Sequence, residues 1–64
     1  MATRKEAKDL KPGDIQIRSP GSRWLVTRVV PLAGSVEVDS HQVGKPDNRS
    51  IAELPGHMMV EVEE

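Results

Sequence analysis

The stretch SPGSRWLVTRVVP, residues 19–31, carries the only aromatic side chain in a chain of 64 residues, Trp24. It is also the most hydrophobic run of the sequence. Pro20-Gly21 opens it with turn chemistry, since proline presets the first central φ of a turn and glycine accepts the positive φ at the second. From there Trp24 and Val26 fall on one face of a strand. Continued alternation would bury Arg28. Val29 can face inward only if one residue is inserted after Val26, and a β-bulge at Thr27-Arg28 supplies it. Such a bulge predicts a strand bent around the corner of a small barrel. With no Phe and no Tyr in the chain, a ring able to bury about 150–250 Å² is expected inside. Its predicted neighbours are Ile15, Ile17, Val26, Val36, Val38, Ile51 and Val60.

Working outward, Pro12-Gly13 and Pro55-Gly56 repeat the turn signal, and PLAGS and VGKPDNRS add two further breaks. The intervals between them are too short for ordinary helices and fit strands. DIQIR alternates Ile15 and Ile17 against Asp14, Gln16 and Arg18. SVEVD sets Val36 and Val38 against Ser35, Glu37 and Asp39. MMVEVEE sets Met58, Val60 and Val62 against Met59, Glu61 and Glu63. Period-two alternation of this kind marks antiparallel sheet with one wet face. In SIAELP, Ile51 and Leu54 cannot both point inward without a second irregularity. Five strands are expected near 14–18, 23–30, 35–40, 50–54 and 58–63. The fold class is therefore all-β, a small five-stranded antiparallel barrel. Residues 1–8 lack an apolar face and read as a disordered tail, with 9–64 as the single domain and Leu10 as its first core residue.

The totals suit that reading. A domain of this size buries only about 60% of its unfolded surface, and without cysteine neither disulfides nor thiolate metal sites can staple it. No apolar run approaches a membrane span, and MATRKEAKDL has no hydrophobic stretch of a secretory signal. A soluble, cytoplasmic protein with no membrane contact is expected. The net charge of −1 hides an asymmetry. The first 31 residues hold seven Lys/Arg and three acids, whereas residues 32–64 hold two and seven. A fold that brings the first hairpin against the last strand would mix these signs, with Arg18 and Arg23 near Glu61 or Glu63.

The run DLKPGDIQI…GSRWLVTRVVP resembles the openings of small SH3-like barrels, where a Pro-Gly-Asp turn leads into the first strand and a W-x-V-x-x-V strand follows. More narrowly, it is similar to short uncharacterised proteins of actinobacteria and their bacteriophages. The resemblance covers residues 9 to about 31. It implies an SH3-like fold, and a host cytoplasm if the chain is phage-encoded; it implies no catalytic residues. SH3 domains that take proline-rich peptides line their groove with several aromatics, and this chain has one.

Residues for chemistry are sparse. Ser19, Ser22, Ser35, Ser40 and Ser50 fall at predicted turns or strand ends. Of the two histidines, His41 could share a face with Asp39, but zinc needs at least three protein ligands and only His57 could add a nitrogen. The five glycines are dispersed, so no phosphate cradle forms. No catalytic residues, metal, cofactor or small-molecule substrate are expected. Apolar residues that the predicted core leaves over (Leu25, Val30, Leu32 and Met59) point to a non-enzymatic binding module whose partner is another protein or a copy of itself. The alternative is nucleic acid, held by Arg18, Arg23 and Arg28 with Lys5, Lys8 and Lys11 beside them. A sequence pI of 6.1 weighs against it, because nucleic-acid domains are typically strongly basic.

Overall fold

A computed structural model describes residues 2–18 and 21–63. They form one antiparallel sheet of six strands: β1 (Ala2–Glu6), β2 (Ile15–Arg18), β3 (Ser22–Leu32), β4 (Ser35–Gln42), β5 (Lys45–Pro55) and β6 (Met59–Glu63). The spatial order is β1-β6-β2-β3-β4-β5, so the sheet is open, with β1 and β5 as its edges, rather than a closed five-stranded barrel. A single 3₁₀ turn, Ala7–Asp9, follows β1. No helix among the described residues is long and apolar enough to cross a membrane.

The bulge forms where the sequence calls for it. Val26 pairs with Ser40, Arg28 with Asp39 and Val29 with Val38, which leaves Thr27 as the extra residue. Below the bulge β3 pairs with β2 over Ser22–Leu25; above it β3 continues on β4 alone. That free side explains why Pro31, which has no N–H to donate, sits within the strand. The bend folds the sheet on itself. β4 and β6 would lie about 14 Å apart in a flat sheet. Yet Val36 and Val38 of β4 share one core with Val60 and Val62 of β6, together with Val26, Ala7 and Leu10.

Register then decides which residues face inward. On the inner face Trp24 and Val62 both pair with Gln16, and Val36 pairs with Leu54. The outer face carries Ile15 opposite Leu25 and Glu63, Ile17 opposite Arg23 and Glu61, and Ile51 opposite Asp39. Ile15 and Ile17 are thus half-buried on the outer face and Ile51 is 73% exposed; none belongs to the core. In β2 the polar Gln16 takes the inward position, because its neighbours on either side are held there by the inward Trp24 and Val62. Trp24 lies on the core side but is only half-buried, not enclosed: it sits on a short strand end, away from the valines. The SIAELP ambiguity resolves without a second bulge, with Leu54 inward and Ile51 outward.

Two segments differ from the sequence reading. Residues 2–6, expected as part of a tail, are strand β1, paired with β6 from Ala2↔Glu63 to Glu6↔Met59; Met1 lies outside the described residues. This strand has no apolar alternation because backbone bonds to β6 hold it, with only Thr3 and Lys5 on the inner side. The segment KPDNRS, expected as a turn, belongs to β5, which runs 11 residues. The turn proper is Val43-Gly44, where Gly44 takes φ 86°, and a register shift at His41/Gln42 absorbs the extra length. An edge strand tolerates Pro46 there, since an edge has N–H groups with no strand to meet.

The first loop is fixed by charge. Lys5 Nζ lies 2.7 Å from Asp14 Oδ2, and the Lys11 N–H donates to the same oxygen at 2.9 Å. Burial alone would raise the Asp14 carboxyl, but these two partners outweigh it and hold it below its ordinary value. A lowered carboxyl contributes stability that is present above the unfolded value and lost as pH falls through the folded one. Asp14→Asn is therefore expected to melt below wild type at neutral pH, with the gap closing as pH drops from about 4. Thermal melts of both proteins between neutral and acid pH check this; a gap independent of pH would assign the loss to packing.

Candidate functional site

Two features of the described residues have polar or apolar groups available to a ligand: the rim around Trp24 on the inner face, and the outer face of β4–β5.

At the rim, the Arg18 guanidinium stacks over the Trp24 ring at 4.5 Å from its centroid. Its Nη1 donates to Ser50 Oγ at 3.2 Å and its Nη2 to Ser40 Oγ at 3.4 Å, so one side chain ties β2 to β4 and β5. The indole N–H donates to Ser22 Oγ at 3.0 Å. Burial lowers the Arg18 guanidinium from its ordinary value, though it stays charged at neutral pH. Among the described residues no carboxylate pairs with it. The stacked pair lies on the core side of the sheet, and two of the guanidinium's five N–H donors are engaged by the serines.

The outer face of β4–β5 differs. Thr27, Asp39, His41, Arg49 and Ile51 line a groove of about 500 Å³, whose lining is completed by Ser40 and Ser50, the inner-face residues that bond Arg18. Asp39 and His41 share this face as i, i+2 neighbours, as their alternation implies. Across the strand pair, His41 faces Arg49 and Asp39 faces Ile51. Thr27 Oγ1 donates to the Asp39 carbonyl at 3.2 Å, which ties the bulge to the groove. The Asp39 Oδ1 is buried and has no hydrogen-bond partner among the described residues. Ile51 stands beside them as the most exposed large apolar side chain described. His57 lies elsewhere, near Lys8, Leu32 and Gly56. Among the described residues no three His, Asp or Glu side chains converge on a point.

Of the six basic residues considered for nucleic acid, four face an acidic residue. Lys5 pairs with Asp14 and Lys8 with Glu6. Arg23 makes a two-pronged bond to Glu63 at 2.6 and 2.7 Å, the meeting of basic and acidic halves anticipated above, and Arg28 stands opposite Asp39. Arg18 takes the inner face instead of reaching Glu61, and Lys11 is exposed on the first loop. The exposed Arg23–Glu63 pair is worth about 0–1 kcal/mol.

The four surplus apolar residues are also dispersed. Leu25 and Val30 are half-buried on the outer face of β3, on either side of the bulge. Leu32 and Met59 are exposed on β3 and β6, which do not pair with each other. The residue that sequence reasoning missed is Ile51. Its signal was present: Arg49 and Glu53 flank it at two-residue spacing, so all three share a face that two charges keep in water.

Comparison with family models, with curated proteins and with solved structures returns no match to this chain.

Proposed function

We propose that the protein is a non-enzymatic binding module that takes another polypeptide along β5. The observation that carries this is Ile51, 73% exposed at the middle of an 11-residue edge strand. Edge strands offer a row of unpaired N–H and C=O groups, and proteins usually blunt them with charge, proline or cover. β1, the other edge, is blunted by Arg4, Lys5 and Glu6. β5 carries its prolines near its two ends, Pro46 and Pro55, and leaves a charged but uncovered centre with an apolar residue in it. An extended segment added there would gain main-chain hydrogen bonds, with side-chain selectivity from Ile51 and the adjoining groove.

The five strands β2 to β6 follow one another in the order β6-β2-β3-β4-β5, a meander with its last strand returned beside its first. With the bulge at Thr27 this supports reading the chain as an opened relative of SH3-like barrels, to which β1 adds a strand on β6. A cytoplasmic setting, the host's if the chain is phage-encoded, goes with that resemblance.

Panning the purified chain against a library of unstructured peptides, then mapping a retained peptide by amide chemical shifts, tests the reading. Shifts concentrated in residues 45–55 are expected. A DNA titration at low salt is the counter-test. Saturable binding that weakens steeply with salt, with shifts at Arg18, Arg23, Arg28 and Lys11, would transfer the function to nucleic acid.

A further inference from the structure

From the register of β5 we infer that the polypeptide it takes is a second copy of itself, paired edge to edge about a two-fold axis through Ile51. This rests on the reading of β5 as a binding edge. Two antiparallel strands related by a two-fold place residues of equal parity opposite one another, because facing residues share a side of the sheet. The axis must therefore pass through a residue, and each choice of residue sets the whole list of pairs.

Charge discriminates among the choices. Centred on Ser50, the register would set Asp47 against Glu53, two like charges. Centred on Arg49 or Glu53, it would set each of those residues against itself. Centred on Ala52, it would put Ile51 against Glu53 and Arg49 against Pro55. Centred on Ile51, it sets Arg49 against Glu53 twice, by symmetry, with the two isoleucines between them. All three positions lie on the outer face, so both ion pairs and the apolar contact form on one surface. On the inner face Ser50 meets Ala52 and Asn48 meets Leu54, with no charge opposed. The paired span runs from 47 to 55. Pro46 falls outside it and Pro55 at its last position, so neither interrupts the ladder. Opposite charges facing across strands stabilise and like charges oppose. A register centred on Asn48 would also oppose unlike charges, Asp47 against Arg49, but it sets Pro46 inside the ladder opposite Ser50 and leaves Glu53 against Val43. The register through Ile51 pairs both Arg49 and Glu53 and keeps both prolines at or beyond its ends.

Sedimentation velocity across a concentration series from about 10 µM to about 1 mM is expected to show a reversible dimer. Arg49→Glu should weaken it about tenfold or more, since two symmetric pairs turn repulsive together. Glu53→Arg should do the same, and the doubly exchanged R49E/E53R protein should recover. Both sites are exposed, and amide spectra confirm that each variant remains folded. A cysteine scan supplies a second reading, because the chain has no cysteine of its own. Facing residues in an antiparallel pair have Cα atoms about 4.5–5.5 Å apart, within disulfide reach. Ile51→Cys should therefore oxidise to a covalent dimer at least about tenfold faster than Arg49→Cys, whose twin would stand about 13 Å away. A dimer indifferent to both charge reversals, or one in which Arg49→Cys links as fast, overturns the inference. A chain that stays monomeric while a library peptide still shifts residues 45–55 also overturns it but leaves the binding edge standing. Loss of both dimer and peptide binding overturns the two together.

Discussion

Val38→Ala is expected to cost about 2–3 kcal/mol, whereas Ile51→Ala should change stability by less than about 0.5 kcal/mol. Val38 is 0% exposed and occupies the middle of β4, between Val29 of β3 and Ala52 of β5. Removing two carbons there forfeits their transfer free energy and leaves a void lined by Val26, Val36 and Val60, which strand pairing prevents from collapsing. Ile51 is the larger side chain, and composition alone would rank it as the costlier loss. Its exposure reverses the order. For a domain this small, whose total stability is a few kcal/mol, the Val38 variant should be partly unfolded at room temperature. Denaturant titration of the two variants side by side checks both values. Equal losses would mean that Ile51 is covered in solution, which the self-paired edge predicts at high protein concentration but not at low.

Much of the architecture was legible because backbone sterics write it locally. The Thr27 bulge followed from the conflict between Val26, Arg28 and Val29. The inward turn of Val36, Val38, Val60 and Val62 followed from alternation against acids. What alternation cannot give is which face of a strand the rest of the sheet will call inside. In β2, Ile15 and Ile17 alternate with Gln16 and Arg18, and hydropathy assigns the isoleucines inward. The pairing of Gln16 with Trp24 and Val62 assigns the opposite. That choice is made by three strands together, so no window of sequence holds it. β1 was illegible for a different reason: TRKE forms its strand through backbone bonds to β6, which leave no trace in side-chain pattern.

The candidate site was half legible. Asp39 and His41 were placed on one face by their spacing, and the Arg23–Glu63 contact by the charge asymmetry of the chain. Of the surplus apolar residues, Leu32 and Met59 are exposed and Leu25 and Val30 half-buried; Ile51 was left out because the count depended on which isoleucines were inside. Once Ile51 moves to the outer face, the centre of β5 joins Leu32 and Met59 as an exposed apolar feature, and it is the most exposed of the three. A binding function inferred from what the core leaves over is therefore only as good as the assignment of faces.

Gln16→Met should raise stability by about 1 kcal/mol and the melting temperature by about 4–8 °C for a domain of this length. Gln16 is 8% exposed on the inner face, and its Oε1 is buried with no hydrogen-bond partner among the described residues. A buried acceptor left unpaired carries its full desolvation cost. Methionine has nearly the same length and flexibility, places a thioether where the amide stood, and adds a favourable sulfur contact to Trp24. The counterweight is register. A slip of β2 by one residue would swing Ile15 and Ile17 inward and Gln16 out, and in wild type hydropathy alone would favour that slip. What opposes it is the pair of bonds that lock the strand's approach, from the Val26 N–H to the Asp14 carbonyl and from the Gly13 N–H to the Val26 carbonyl, both 2.8 Å. The stacking of Arg18 on Trp24 adds to them. None of these contacts involves the Gln16 side chain, so the substitution should leave the register unchanged, and cross-strand proton contacts between residues 16 and 24 should persist. A variant that melts below wild type, or that loses those contacts, would show that the amide group of Gln16 is what holds β2 in place.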